Sequence, residues 1–330
     1  PSCVNLDQVP DLTKVIHVRF LETHGDDAGP NMKRKARAKC NNVGPTNKRA
    51  KLSCSIPSMT SSSRAEQKAY PKSLSVLDMM KLGRVINERC ETVELHSFSL
   101  EDMKWSSRPV TVEFSVDEDP CGQGGFRFAY KATSRSGEFK GNWILKRYLS
   151  TAIDVIKATN QTVEQHTRKV VQMHMLAKNM CLKLEERLRR DDLLDLYGKT
   201  LGYNSIYMGR LPDQVGDNEW VTVEEYIDGT FVKYINNNGA LCVDESVIQQ
   251  KCESLAHFSL EYSEGQLMVV DMQGSDHSLY DPEIASKEAT KEGEFLFSTG
   301  NLSSQAISNF KSAHKKCNEY CTLLGLDALA

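Results

Sequence analysis

Apolar and polar residues alternate most cleanly at Arg108–Val116, where Val110, Val112, Phe114 and Val116 fall on one face. A period of two marks a half-buried strand. After a turn at Asp117–Gly125, Phe126–Ser134 reads as a second strand and Gly141–Leu149 as a third, centred on Ile144 and Leu145. Short glycine-bearing connections join them, so the pattern predicts an antiparallel sheet. Residues 151–191 contain neither glycine nor proline and carry Val163, Val170, Val171, Met173, Leu176 and Leu182 among their apolar positions. They predict one long helix, or two broken near Thr159–Thr162, with Met173, Met175 and Met180 as core filler. Further on, the pattern predicts strands at Ser205–Met208, Trp220–Ile227 and Gln266–Val270. It also predicts helices at Asp244–Glu261, with an acidic first turn at Asp244 and Glu245, and at Ser304–Leu323. Upstream, Val15–Phe20 reads as a stray strand and 72–84 as a short helix. No internal repeat is visible.

Composition changes the picture mainly at the start of the chain. Between Asp27 and Glu66 there is no acidic residue, while Lys33–Lys39 and Lys48–Leu52 form two basic clusters. Residues 25–70 are rich in Ser, Pro and Asn and too poor in apolar surface to order themselves. We therefore expect a largely disordered tail over residues 1–85 and a folded region over 86–328. The clusters Lys33–Lys51 resemble a bipartite nuclear-import signal or a phosphate-touching patch, and a solvated linker is the competing reading. The serines of Ser53–Ser63 are candidate autophosphorylation sites. The 330 residues, with a net charge of −3, suffice for one large or two moderate domains and point to no nucleic-acid or membrane field. No apolar run approaches the ~20 residues of a membrane span. Ten cysteines are scattered without a secretory pattern. The expectation is a reducing, intracellular compartment, cytoplasmic or nuclear. The chain opens on Pro-Ser-Cys, which reads as a fragment or a lost start.

Several constellations carry chemistry. Asp271 and Gln273 end the Gln266–Val270 strand, where alternation puts both on one side with Met272 facing away, and Asp281 follows a polar loop. Oxygen donors at the end of a buried strand are costly unless they bind something, and a magnesium–nucleotide complex would serve. Cys121-Gly122-Gln123-Gly124-Gly125 lies between two strands and could cradle phosphates, although no Walker or dinucleotide fingerprint accompanies it. Lys146 sits inside the apolar strand WILKRYL, either snorkelling at an edge or aimed at an anion. Glu224 and Glu225 end the strand WVTVEEYI and face opposite ways, so that one could meet an adenine. His314-x-x-Cys317-x-x-x-Cys321 places three ligands along one helix face, and His257 would complete a tetrahedral zinc site.

Taken together, CGQGGFRFAY (Cys121–Tyr130), WILKRY, VEEYIDGTFVKYINNNG (Val223–Gly239), LAHFSLEYSEGQLMVVDMQG (Leu255–Gly274), YDPEI and the C-terminal H..CNEYC resemble the alpha-kinase family of atypical protein kinases. His-Arg-Asp, Asp-Phe-Gly and Ala-Pro-Glu, which mark conventional protein kinases, are missing. The resemblance implies an α+β, two-lobed kinase-like fold with an antiparallel N-lobe sheet, a mixed C-lobe and a structural zinc. It implies ATP, Mg2+ and Zn2+ as cofactors and a Ser/Thr-bearing protein substrate. Lys146 would hold the α/β-phosphates, Gln123, Gly124 and Gly125 would cover them, and Arg127 would lie close by. Glu224, Glu225 and Tyr226 would line the adenine. Asp271 would orient the acceptor hydroxyl or take its proton, and Gln273 and Asp281 would bind magnesium. Two departures stand out. The family favours one residue, not two, between the second zinc histidine and the next cysteine, and Ser298–Ser303 has serines where the family favours glycines. An ATP-binding scaffold stabilised by zinc is the alternative function, and a nucleic-acid binder acting through Lys33–Lys51 is a third reading.

Overall fold

The alternating segments become a seven-stranded sheet. Its strands are β1 (Arg89–His96), β2 (Val110–Val116), β3 (Gly122–Gln123), β4 (Arg127–Ser134), β5 (Gly141–Tyr148), β6 (Ile206–Pro212) and β7 (Asn218–Glu225), in the order β2-β1-β6-β7-β5-β4-β3. Every neighbouring pair is antiparallel. A further pairing, Ser115 with Thr133 and Val116 with Ala132, brings β2 back against β4, so the sheet curls on itself. The computed structural model describes residues 89–329, apart from 213–217, 244–245, 293 and 299. These residues fall in one of two compact units of the chain, Ser73–Ala330. The expected tail, its basic clusters, the strand at Val15–Phe20 and the helix at 72–84 lie outside the described residues, as do Asp244 and Glu245.

The inward faces of the sheet form a first core: Val93, Leu95, Val112, Phe114, Val116, Ala132, Trp143, Leu145, Val221 and Val223. Val110, expected on the same face, is exposed at the strand's first position. β1 was not legible in the sequence, because its inward row begins with Glu91, whose charge is met by Arg147.

Helix α1 (Ser150–Ala158) and helix α2 (Val163–Arg190) realise the two-helix alternative, with the break where expected. Thr162 and Gln165 close a capping box: Gln165 N–H donates to Thr162 Oγ1 at 3.1 Å and Thr162 N–H to Gln165 Oε1 at 2.9 Å. A second core gathers Met173, Ala177, Met180, Leu184 and Leu188 of α2 with Leu255, Ala256 and Phe258 of helix α3 (Val247–Tyr262). Strand β8 (Leu267–Val270) pairs with β11 (Glu283–Ser286), and the hairpin of β9 (Gln273–Ser275) and β10 (Ser278–Tyr280) lies between them in sequence. A third, smaller cluster of Phe98, Val171, Ile206 and Met208 packs α2 against the sheet. No helix of the described residues is long and apolar enough to cross a membrane.

The expected single C-terminal helix is in fact two: α4 (Ser303–Ala313) and α5 (Glu319–Leu323). Asn318 caps the second, its Oδ1 accepting the Cys321 N–H at 3.0 Å, and this local bond competes with helix continuation. Gly239, at φ +80°, lets the 236–239 turn dock on α4, since a Cβ there would lie 2.1 Å from the Ala306 carbonyl oxygen.

Candidate functional site

In β5 and β7, Lys146 stands opposite Thr222. Lys146 is therefore central in the sheet, not at an edge, and its ammonium must find partners. Its Nζ lies 2.8 Å from Glu224 Oε2 and 3.2 Å from Asp281 Oδ1. Arg127, at the start of β4, donates to the same Asp281 oxygen at 2.5 Å and to Thr222 Oγ1 at 2.9 Å. The Thr222 hydroxyl donates to Glu224 Oε1 at 3.2 Å. Two cations, two carboxylates and one hydroxyl thus form a closed network across 154 positions of sequence. Glu224 is only 2% exposed, which is tolerable because both of its oxygens are bonded.

Glu225 projects from the other side of β7. It is exposed, and its carboxylate meets the Ser205 N–H at 3.4 Å. With Tyr226 it lines a groove of about 550 Å3 that does not include Lys146 or Asp281. A larger groove, about 680 Å3, is lined by residues such as Phe98, Met173 and Leu296 and likewise excludes them. Gln123, Gly124 and Gly125 are exposed on the β3–β4 connection, which is tied off by the Gly124 N–H to the Arg127 carbonyl at 2.9 Å. Leu149 N–H reaches the Phe126 carbonyl at 2.9 Å, and the Phe126 ring stacks on His166 of α2 with centroids 5.9 Å apart.

The expected alternation of Asp271, Met272 and Gln273 along one strand is not what forms. β8 ends at Val270, and Asp271 takes a left-handed conformation that separates it from β9. Met272 is fully buried, and Gln273 begins β9. Gln273 Nε2 donates to the Asp281 carbonyl at 3.2 Å, so its amide oxygen is the atom it has to offer a cation. Asp271 pairs not with Lys146 but with Lys233, 2.8 Å away, a residue the sequence reading did not single out.

Electrostatics separate the carboxyls. Burial alone would raise Asp281, but Lys146 and Arg127 outweigh it and hold the carboxyl well below its usual range. Asp271 goes the other way: burial raises it, Lys233 opposes, and nearby Asp281 adds to the rise. Burial pushes Glu283 up to about 8, with Ser298 opposing and Asp271 and Asp281 reinforcing the rise. Titratable groups driven apart in one place are characteristic of functional sites.

A second constellation sits in the other core. One ligand atom from each of His257, His314, Cys317 and Cys321 lies within 4.8 Å of all the others. Cys321 Sγ is 3.4 Å from His314 Nε2 and Cys317 Sγ is 3.9 Å from His257 Nδ1. The trio does not share one helix face: His314 ends α4, Cys317 lies in the connection, and Cys321 is on α5. The additional residue before Cys317 is absorbed in that connection. Glu253 Oε2 holds His314 Nδ1 at 2.8 Å, the outer support that orients a metal-binding imidazole. Burial pushes the Cys321 thiol up to about 12, so a thiolate there needs a cation beside it. Two nitrogens and two sulfurs, mutually close and buried but for half-buried Cys317, suit tetrahedral zinc.

A curled antiparallel sheet thus carries an ion-paired lysine, and a second core of helices and short strands lies beside it. A family model described as the alpha-kinase family matches residues 122–321, and the chain belongs to that family. The human transient receptor potential cation channel subfamily M member 6 is 36% identical over 112 residues, 34% of this chain and 6% of its own. Myosin heavy chain kinase A of Dictyostelium discoideum is 26% identical over 315 residues, covering 86% of this chain and 26% of its own. The chain thus spans only a small part of these relatives' length. The solved alpha-kinase domain of myosin-II heavy chain kinase A in complex with AMP-PNP superposes with a TM-score of 0.60 and 23% identity. That match covers 74% of this chain and 97% of the domain.

Proposed function

We infer that this chain is an ATP-dependent protein serine/threonine kinase of the alpha type, transferring the γ-phosphoryl of ATP to a hydroxyl of a protein substrate. The observation that carries the reading is the convergence of Lys146 and Arg127 on Asp281, with Gln273 bonded to the same residue's carbonyl. Phosphoryl transfer needs positioned cations and oxygen donors more than covalent chemistry. In this reading Lys146 and Arg127 turn from Asp281 to the phosphates. Asp281 and the Gln273 oxygen would hold magnesium, which neutralises phosphate charge. Asp271, whose proton affinity is raised, accepts the acceptor's hydroxyl proton or orients it. Gln123, Gly124 and Gly125 cover the phosphates, and the backbone of 224–226 borders the base, with the Glu225 side chain turned to the opposite groove. His257, His314, Cys317 and Cys321 would hold a structural zinc that ties α4 and α5 to α3. The catalytic domain in this reading runs over 86–328, and membership of a family whose relatives include myosin heavy chain kinases supports it.

The closed ion-pair network favours one rival, an ATP-binding scaffold that transfers nothing. Labelled ATP–Mg with a threonine-bearing basic peptide separates the two. Transfer by the parent and its loss in Asp281→Ala support the kinase. A thermal shift with ATP–Mg but no transfer supports the scaffold.

A further inference from the structure

The chain passes from one sheet to another around Asn204. Tyr203 pairs with Leu279 of β10 in parallel register, and Ile206 pairs with Glu224 of β7. Asn204, between them, serves both sides. Its backbone N–H donates to the Leu279 carbonyl at 3.0 Å, and its side-chain Nδ2 donates to the Glu225 carbonyl at 2.8 Å. A carbonyl acceptor dictates which end of the amide turns toward it. The regular β6–β7 ladder ends at Ile206 and Glu224, so past that point the Asn204 side chain stands in for a strand partner. The Asn204 carbonyl accepts in its turn from His174 Nε2 of α2 at 3.0 Å and from Lys178 Nζ at 3.4 Å. His174 is 1% exposed, and burial lowers its proton affinity, so a neutral ring donates through Nε2. The segment 224–226 is held from its other edge as well, because Tyr226 N–H donates to the Asn142 carbonyl of β5 at 3.2 Å.

We propose that Asn204 is a positioning residue of the nucleotide site: through the Glu225 carbonyl it sets the 224–226 backbone against the β9–β10 hairpin, and so seats a purine base relative to Asp281. The two bonds that leave Asn204 end beside the residues that matter. Glu225 adjoins Glu224, the partner of Lys146, and Leu279 lies two positions before Asp281. One amino acid therefore spans from the base side of the site to the magnesium side, and α2 braces it from behind through His174. The bond to Leu279 belongs to the backbone and survives a change of side chain. Only the bond to Glu225 depends on the carboxamide, so substitution at 204 acts on the base side alone. The assignment rests on the kinase reading and deepens it, naming a residue that touches neither phosphate nor metal.

The experiment uses the full chain with Asn204→Ala, which removes the amide, and Asn204→Asp, which keeps its size and puts an acceptor against the Glu225 carbonyl. Binding of AMP-PNP–Mg and of tripolyphosphate–Mg, which has no base, is titrated by calorimetry. Both variants weaken AMP-PNP–Mg about tenfold, the scale of one hydrogen bond, and leave tripolyphosphate–Mg within about twofold. In steady-state transfer to a threonine-bearing basic peptide, the ATP KM rises about tenfold and the peptide KM stays within about twofold. Amide exchange accelerates at Tyr226 and is unaltered at Val223 in the middle of β7. A general loss of structure would weaken both ligands alike. Equal weakening of the two, unchanged AMP-PNP binding in either folded variant, or unaltered exchange at Tyr226 overturns the proposal. A parent that binds AMP-PNP–Mg and transfers nothing overturns the kinase reading alone, and the comparison of the two ligands then still decides the role of Asn204. A parent that binds neither ligand overturns both.

Discussion

Asp271 and Asp281 share a backbone conformation, with φ of 52° and 54°, although neither is glycine. They bracket the β9–β10 hairpin, so the chain turns sharply at its entry and at its exit, and both carboxyls stand at its base. The left-handed region costs a non-glycine residue about 1 kcal/mol or more, and Asp and Asn are the side chains that bear it best.

This separates fold from chemistry at Asp271. Asp271→Asn keeps a residue suited to the turn, so its melting temperature stays within a few degrees of the parent. Phosphate transfer falls on the order of a hundredfold or more, the usual contribution of a proton acceptor. Asp271→Val destabilises by about 1–3 kcal/mol in denaturant titration, because a branched side chain resists positive φ.

Thr222 was not singled out in the sequence, yet it joins Arg127 to Glu224. Thr222→Val keeps the shape and removes the hydroxyl. We expect a loss of about 1–3 kcal/mol in stability and roughly a tenfold drop in kcat/KM for ATP. Unchanged ATP kinetics with normal folding would detach Thr222 from the nucleotide side.

Elemental analysis of the purified protein is expected to find about one zinc per chain. Cys317→Ala prevents stable folding, since the metal's binding free energy is also folding free energy. Glu253→Gln weakens the support under His314 and lowers metal affinity about 10- to 100-fold, measured by chelator competition. A well-folded, metal-free parent would refute both statements.

His166 makes stability depend on pH. Burial, then Arg127 and Lys169, lower it from 6.5 to about 4. The unfolded chain binds the proton first as pH falls, so stability present above pH 6.5 is lost progressively down to about pH 4. The loss is at most about 3 kcal/mol. Urea titrations of His166→Gln should show a flatter profile across that window. Parallel profiles would mean that other groups govern the acid limb.

The parts of this architecture with a strong period were open to sequence reading: β2, β4, β5, β7, α2 and the break before it. β1 was hidden because Glu91 occupies an inward position and its ion-pair partner Arg147 is distant in sequence. The C-terminal helix was over-extended because Asn318 acts locally, as a cap, where helical spacing suggested continuity. At the site, residue type announced Lys146, Gln273 and Asp281, and the structure links all three. Strand alternation failed for Asp271, because left-handed turns carry no period. Thr222 and Lys233 were illegible for a related reason: each meets a charged partner far along the chain.

The carboxylate that meets Lys146 is carried on the adjacent strand of its own sheet, in fixed register, and not on a mobile helix. Conventional protein kinases turn off by swinging a helix until its glutamate leaves the lysine. Here one β-ladder holds the backbones that carry Lys146 and Glu224, so only side-chain rotation can part the pair.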